Sequence, residues 1–257
     1  MSARRLCPSI LVATIAGSIL TASVPPLSAA GSSARGPSVQ SMIVGRGGSI
    51  LSRARNVTAS ATTVRAGRAT CAVAAGTPLA VLAAVRHSGG PVFALRDYGR
   101  CGSSPQNSGQ LFVYSLGGES NRGQSGWEYK VDHVSGSTGA GDPTGPKGDG
   151  RRLRQGADVL WFWCNAFAGG CQRTLDIAAS ATTVSRRALL NVTVNGYDNE
   201  GRGSPIAGAI VTLGSDFAST GTGGNAALIA PGIPGRYSLS ASRPGLVTSF
   251  PETIVVR

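Results

Sequence analysis

Hydrophobic alternation is clearest in the middle of the chain. In Gly126-Trp127-Glu128-Tyr129-Lys130-Val131-Asp132, the residues Trp127, Tyr129 and Val131 share one face. Glu128, Lys130 and Asp132 share the other, which is the pattern of a half-buried strand. Val159-Leu160-Trp161-Phe162-Trp163-Cys164 is apolar on both faces, as an interior strand is. The segment between them, Ser135 to Gly150, is dense in Gly, Pro, Ser, Thr and Asp and reads as a long loop. Upstream, Gly76-Thr77-Pro78 opens a run from Leu79 to Val85. Thr77 can cap a helix and Pro78 fits its first turn. Leu79, Leu82 and Val85, with Val81 beside them, make one apolar face, and Gly89-Gly90 ends the element. The β-branched residues within Asn56 to Thr70 predict a strand, and Pro91–Leu95 and Gln110–Tyr114 read as extended. Residues 31–55, rich in Ser, Gly and Arg, read as a flexible linker.

From about Arg186 the pattern changes to short strand-like runs: Leu189–Val194, Ala209–Leu213, Ala226–Ile229, Arg236–Ser240 and Thr253–Val256. Turn residues separate them at the spacing of a β-sandwich, and about seventy residues suffice for one small core. The string Ala59–Val64 recurs as Ala179–Val184 with no further similarity around it, so it is compositional. The expected fold class is mainly β with one short helix: an α+β domain over residues 56–178, then a small β-sandwich over 186–257.

The amino terminus adds a compartment. Arg4 and Arg5 precede a mildly apolar run from Leu6 to about Val24 that ends in Pro25-Pro26-Leu27-Ser28-Ala29-Ala30. This is the layout of a signal peptide over residues 1–30, too short in uninterrupted apolar length for the roughly 20 residues of a membrane span. With no further long apolar run and no sorting motif, the mature chain is expected to be secreted and extracellular, or held by non-covalent contacts. Beyond Cys7 the chain keeps Cys71, Cys101, Cys164 and Cys171, and an even set in an exported chain implies disulfides. Of three connectivities, Cys71–Cys101 with Cys164–Cys171 lets each pair bracket one supersecondary unit.

The net charge of +12, or +10 without Arg4 and Arg5, is carried by arginine, since Lys130 and Lys147 are the only lysines. Such a balance favours anionic partners, and Arg151, Arg152 and Arg154 form the densest cluster. The other binding candidates are aromatic: Trp127, Tyr129, Trp161 and Trp163, whose rings either build the core or form a platform for a sugar or planar ligand. Catalytic patterns are missing. Gly123-Gln124-Ser125-Gly126 departs from a nucleophile elbow, Gly221-Thr222-Gly223-Gly224 leads into a strand and not a helix, and only His87 and His133 could serve a triad. Asp142 and Asp149 are spaced like ordinary loop residues. The expectation is no enzyme, no metal and no cofactor.

Several of these segments carry a resemblance. Gly76-Thr77-Pro78-Leu79, Gly126–Val131 and Leu153-Arg154-Gln155-Gly156-Ala157-Asp158-Val159-Leu160-Trp161 resemble a domain of unknown function of secreted bacterial proteins. That domain is similar to the C-terminal, cobalamin-contacting domain of transcobalamin and intrinsic factor, which implies a β-grasp-like fold over 56–178. Gly203–Leu213, Thr220–Ala226 and Gly235–Leu239 look like the prealbumin-like or Ig-like modules of bacterial surface proteins and carboxypeptidases, which carry no catalytic residue. The expected function is a non-catalytic exported binding or surface-interaction protein, the alternatives being an extracellular binder of a small planar ligand and a polymer- or glycan-recognising accessory module of an enzyme system. Its expected partners are a cell-wall polymer, a glycan or a small planar ligand such as a corrinoid, with nucleic acid disfavoured and the oligomeric state open.

Overall fold

The computed structural model describes residues 35–166 and 170–257; the signal peptide expected over 1–30 lies outside them. The first domain contains β1 (Ser38–Val44), β2 (Ile50–Thr58), β3 (Thr62–Ala66), β4 (Ala69–Val73), α1 (Pro78–His87), β5 (Phe93–Asp97), β6 (Leu111–Leu116), β7 (Glu119–Ser120), β8 (Gly126–Val131), β9 (Val134–Ser135) and β10 (Asp158–Cys164). The second contains β11 (Thr174–Ala179), β12 (Thr183–Val184), β13 (Leu189–Tyr197), β14 (Gly203–Pro205), β15 (Ile210–Leu213), β16 (Asp216–Ser219), β17 (Asn225–Ile229), β18 (Gly235–Ser242) and β19 (Glu252–Val256). The described residues are mainly β with one α-helix, as the patterning implies.

The central sheet has the order β2-β1-β10-β8-β9. β1 and β10 run parallel, while β2 and β8 flank them antiparallel. A hairpin, then a helix, then a late strand inserted beside the first strand is the β-grasp arrangement. That hairpin is β1–β2, so the linker expected over 31–55 is corrected: residues 38–44 and 50–55 are strands. Val39 and Ile43 enter the main core while Met42 and Val44 are buried on the opposite face. A strand buried on both sides shows no simple alternation, and the polar Gln40 and Ser41 between them disguise the run. A second sheet, β4-β3-β5-β6-β7, is inserted within the fold.

Thr77 caps α1, its Oγ1 accepting the Ala80 N–H at 3.3 Å, and Pro78 occupies the first turn. Seven of the ten helical residues are buried, more than the single apolar face expected, because both sheets pack on the helix within one core. Cys71–Cys101 ties β4 to the loop after β5, and Cys164–Cys171 closes the turn after β10. Both pairings match the expectation.

In the second domain, β11-β13-β14, with β17 also on β13, faces β12-β19-β18-β15-β16. Leu175, Ile177, Leu190, Val192 and Val194 meet Val211, Leu213, Leu239, Ala241 and Ile254 in one sandwich core. The domain boundary moves accordingly: residues 174–178 belong to the sandwich, since β11 pairs with β13 from Thr174↔Tyr197 to Ala179↔Val192. Among the described residues no helix is long and apolar enough to cross a membrane.

Candidate functional site

β10 connects the two domains through its two faces. Val159, Trp161 and Trp163 point into the core around α1. Leu160, Phe162 and Cys164 point the other way, joining Met42 and Val44 against Val247 of the sandwich. The face that the lone helix leaves open is therefore covered by the second domain. Lys130, 1% exposed, lies on that side of β8. Its Nζ donates to Asp198 O at 2.7 Å, Tyr197 O at 3.1 Å and Thr174 Oγ1 at 3.3 Å. Burial pulls its pKa down to about 8. The His133 ring stacks on Tyr197 at 4.0 Å, and burial holds its pKa below the ordinary histidine value.

At the end of this seam lies a cleft of about 490 Å³, a size typical of small-ligand sites. One wall comes from the β1–β2 turn and the end of β10: Val44, Gly45, Gly47, Gly48, Trp163, Asn165 and Gln172. The other is the β18–β19 loop, Ser242 to Thr248. A short bond network fixes the first wall. The Trp163 Nε1–H donates to Asn165 Oδ1 at 3.1 Å, the Asn165 N–H to Gln172 Oε1 at 2.9 Å, and Gln172 Nε2 to Trp163 O at 2.7 Å. Trp127 meets the Trp163 ring edge-on at 5.9 Å, and the Arg46 guanidinium lies over it at 4.3 Å. The Arg46 backbone N–H donates to Glu119 Oε2 at 2.8 Å, which holds the turn in place. Gly47 and Gly48 have φ of 69° and 85°, a conformation that favours glycine.

The sequence-predicted candidates are distributed differently from expectation. Trp127, Tyr129, Trp161 and Trp163 are all at most 5% exposed, which corrects the exposed aromatic platform: stacking needs a free ring face, and here neighbouring strands and the helix occupy it. A groove of about 240 Å³ between β6 and β8 reaches Trp127, Tyr129 and Trp161 from Leu111, Val113 and Gly139. The Tyr129 hydroxyl donates to Thr138 O at 2.9 Å, and burial pushes its pKa up to about 12. Trp161 Nε1 is buried with no acceptor among the described residues.

The arginine cluster does not form one cationic patch. Arg152 is spent on carbonyls, donating from Nε to Pro143 O at 2.8 Å and from Nη1 to Ala75 O at 3.4 Å. Arg154 pairs with Asp132 at 3.1 Å, and Arg151, its side chain 89% exposed, pairs with Asp149 at 3.9 Å. A Gly- and Pro-rich loop has few ladder partners of its own, so neighbouring guanidinium groups satisfy its carbonyls.

The cleft residues that the sequence reading missed are Asn165, Gln172 and Arg243. The available signals were the turn strings Gly45-Arg46-Gly47-Gly48 and Arg243-Pro244-Gly245, each placing one arginine at a strand junction. No family model and no curated protein matches this chain. Among solved structures it is similar to the "D00-D0 domain of Intimin", with 14% identity over 58% of this chain and 90% of that one. The TM-score is 0.28, so the architecture rests on this chain's own topology.

Proposed function

We propose that this chain is a non-catalytic, exported binding protein acting at or outside a cell surface, with its ligand held in the cleft between the β-grasp domain and the sandwich. The observation that carries this reading is that the cleft takes a wall from each domain, around a tryptophan fixed by hydrogen bonds. The non-catalytic part is supported by the lining, which among the described residues contains no His, Asp, Glu or Cys to act as acid, base or nucleophile. The extracellular part is supported by two disulfides, which belong to chains matured in oxidising compartments.

The test is a thermal-shift screen of the secreted chain against neutral and acidic oligosaccharides, wall fragments, corrinoids and haem. A ligand at a hundred times its dissociation constant stabilises the fold by about 2.7 kcal/mol. A saccharide or wall fragment is expected to raise Tm, and Ser242→Trp, filling the cleft from its exposed rim, is expected to abolish the shift without lowering the Tm of the free protein. A hit that survives Ser242→Trp overturns the cleft as the site. A second reading, a planar ligand such as a corrinoid in the groove beside Trp161, is favoured by the unpartnered Trp161 Nε1 and by the transcobalamin resemblance. A corrinoid shift indifferent to Ser242→Trp would select it.

A further inference from the structure

The outer face of the sheet β4-β3-β5-β6-β7 is turned away from the core and carries aromatic rings. Along these strands Val64, Ala66, Leu95, Leu111 and Val113 enter the apolar core. Strand alternation therefore sends Arg65, Arg96, Phe112 and Tyr114 to the opposite side. Tyr98 prolongs β5, its N–H donating to Gln110 O at 3.2 Å, and stays on that side, with its ring 6.0 Å from that of Phe112. Tyr98 is 65% exposed and Phe112 41%. One exposed ring is ordinary, whereas rings in contact form a patch that marks a binding surface. Arg96 lies in register with Phe112, and its guanidinium sits over the Tyr114 ring at 4.9 Å, which orders a planar fork of donors on the same face.

The charge of this face is one-sided. The first acidic residue of the chain is Asp97, so β3, β4 and α1 hold no carboxylate. The Asp97 carboxylate is occupied by backbone, accepting the Gly99 and Cys101 N–H groups, each at 2.9 Å. At the β3 margin Arg65 is joined by Arg86 and His87 in a groove of about 310 Å³. Arg86 gives one donor to Gly90 O at 3.0 Å, which anchors it at the end of α1. Glu128 shares a different groove with Phe112, beyond β6. The face thus runs from positive at β3 to negative beyond β6, which gives a charged ligand one orientation. An aromatic face carries the negative lobe of the ring quadrupole and attracts the C–H face of a sugar. Guanidinium forks match acid groups. We infer that this sheet face binds an acidic glycan, its sugar rings on Tyr98 and Phe112 and its acid groups toward Arg96 and Arg65. The surface shares no residue with the cleft lining and does not depend on the cleft holding a ligand.

The test is isothermal titration of the secreted chain with a galacturonate hexamer, a sulfated hexasaccharide, a neutral galactose hexamer and a short oligo-dT. Binding of either acidic hexamer, with the neutral one failing, supports the inference, and the pair tells carboxylate from sulfate. Tyr98→Ser should weaken that binding by about threefold to tenfold, the range of an aromatic contact. Arg96→Gln should weaken it by about tenfold to a hundredfold, the range of a hydrogen bond to a charged group. Both side chains are exposed, so both variants should melt with wild type. Arg151→Gln, a cation elsewhere on the surface, and Ser242→Trp, in the cleft, should leave binding unchanged. An equal loss in Arg151→Gln shows diffuse attraction and overturns the site. Loss in Ser242→Trp with Tyr98→Ser unaffected moves the glycan to the cleft and overturns this face. A neutral hexamer bound as tightly as the acidic ones overturns the acid requirement. Oligo-dT bound more tightly than either hexamer, and weakened by Tyr98→Ser, makes the face a base-stacking surface and overturns the glycan. Sedimentation tests self-association: a wild-type dimer dissolved by Tyr98→Ser would make the face a contact between copies and overturn the inference. Failure of both acidic hexamers overturns it outright, while a ligand sensitive to Ser242→Trp would still support the cleft.

Discussion

The two faces of β10 are both closed to water, by different means. Toward α1, Val159, Trp161 and Trp163 join a continuous apolar core with both sheets of the β-grasp domain. Toward the sandwich, Leu160, Phe162 and Cys164 meet a much smaller apolar patch. Buried Lys130, the His133–Tyr197 stack and Asp158 lie around that patch, and the Ser135 N–H donates to Asn199 O at 2.9 Å across the seam. The first face is held by area, which is non-directional. The second is held by a small area plus directional bonds that fit one relative placement of the domains. A cleft shared by two domains needs that placement fixed, so the polar seam and the site belong to one design.

The contrast breaks first at Trp161. Trp161→Ala empties a large volume from the apolar side and should cost about 3–5 kcal/mol, read from urea unfolding with the disulfides intact. All probes of structure should shift together. A cost below about 1.5 kcal/mol, the range of tolerated core swaps, would mean that the helix side is not the stabilising core.

Lys130→Met tests the other side. Two carbonyls and a hydroxyl lose a charged donor, while the cost of burying the ammonium disappears. The net loss should be about 2 kcal/mol, within the usual penalty for orphaned buried acceptors. Amide exchange separates it from a core lesion: the Ser135 and Val247 N–H groups, bonded to Asn199 O and Arg173 O, should exchange faster, while β1 and β10 stay protected. Loss of protection throughout β10 would erase the distinction between the two faces.

How much of this was legible in the sequence follows the same division. Where burial is one-sided the pattern was clear, as in β13, and Thr77-Pro78 announced α1 through a cap that needs no tertiary context. The β1–β2 hairpin was illegible because β1 is buried on both faces and its polar residues break the run. Residues 174–178 were given to the wrong domain because strand pairing with β13 leaves no trace in the local pattern of β11. Lys130 read as a solvent-facing residue, since alternation reports which face a side chain takes and not whether another domain covers that face. The cleft was illegible for the same reason: Val44 and Arg243 line it from the two domains and lie almost two hundred residues apart.

The smallest expected effect is also the most specific to the polar seam. Asp158 opens β10, and its carboxyl pKa is raised from 3.8 to about 6, first by burial and then by the nearby carboxylates of Asp132 and Asp176, against a smaller opposing pull from Arg154. A raised carboxyl pKa means that the folded protein keeps a proton which the unfolded chain releases between about pH 4 and 6. Stability from this group is fully present below the unfolded value and is lost as pH rises through the folded one. Asp158→Asn removes the titration while keeping the size. Near pH 2.5 the variant and wild type should be equally stable, because Asp158 is then protonated in both states. Above about pH 6.5 the variant should be the more stable by about 1 kcal/mol, the shift at about 1.4 kcal/mol per unit discounted for partial exposure. Taking the difference between the two proteins cancels groups that do not interact with Asp158, so the step at pH 4–6 reports Asp158 together with the carboxylates of Asp132 and Asp176 that it faces. A difference that is flat with pH would mean that Asp158 is not desolvated at the seam, and the seam would then be apolar contact with polar decoration.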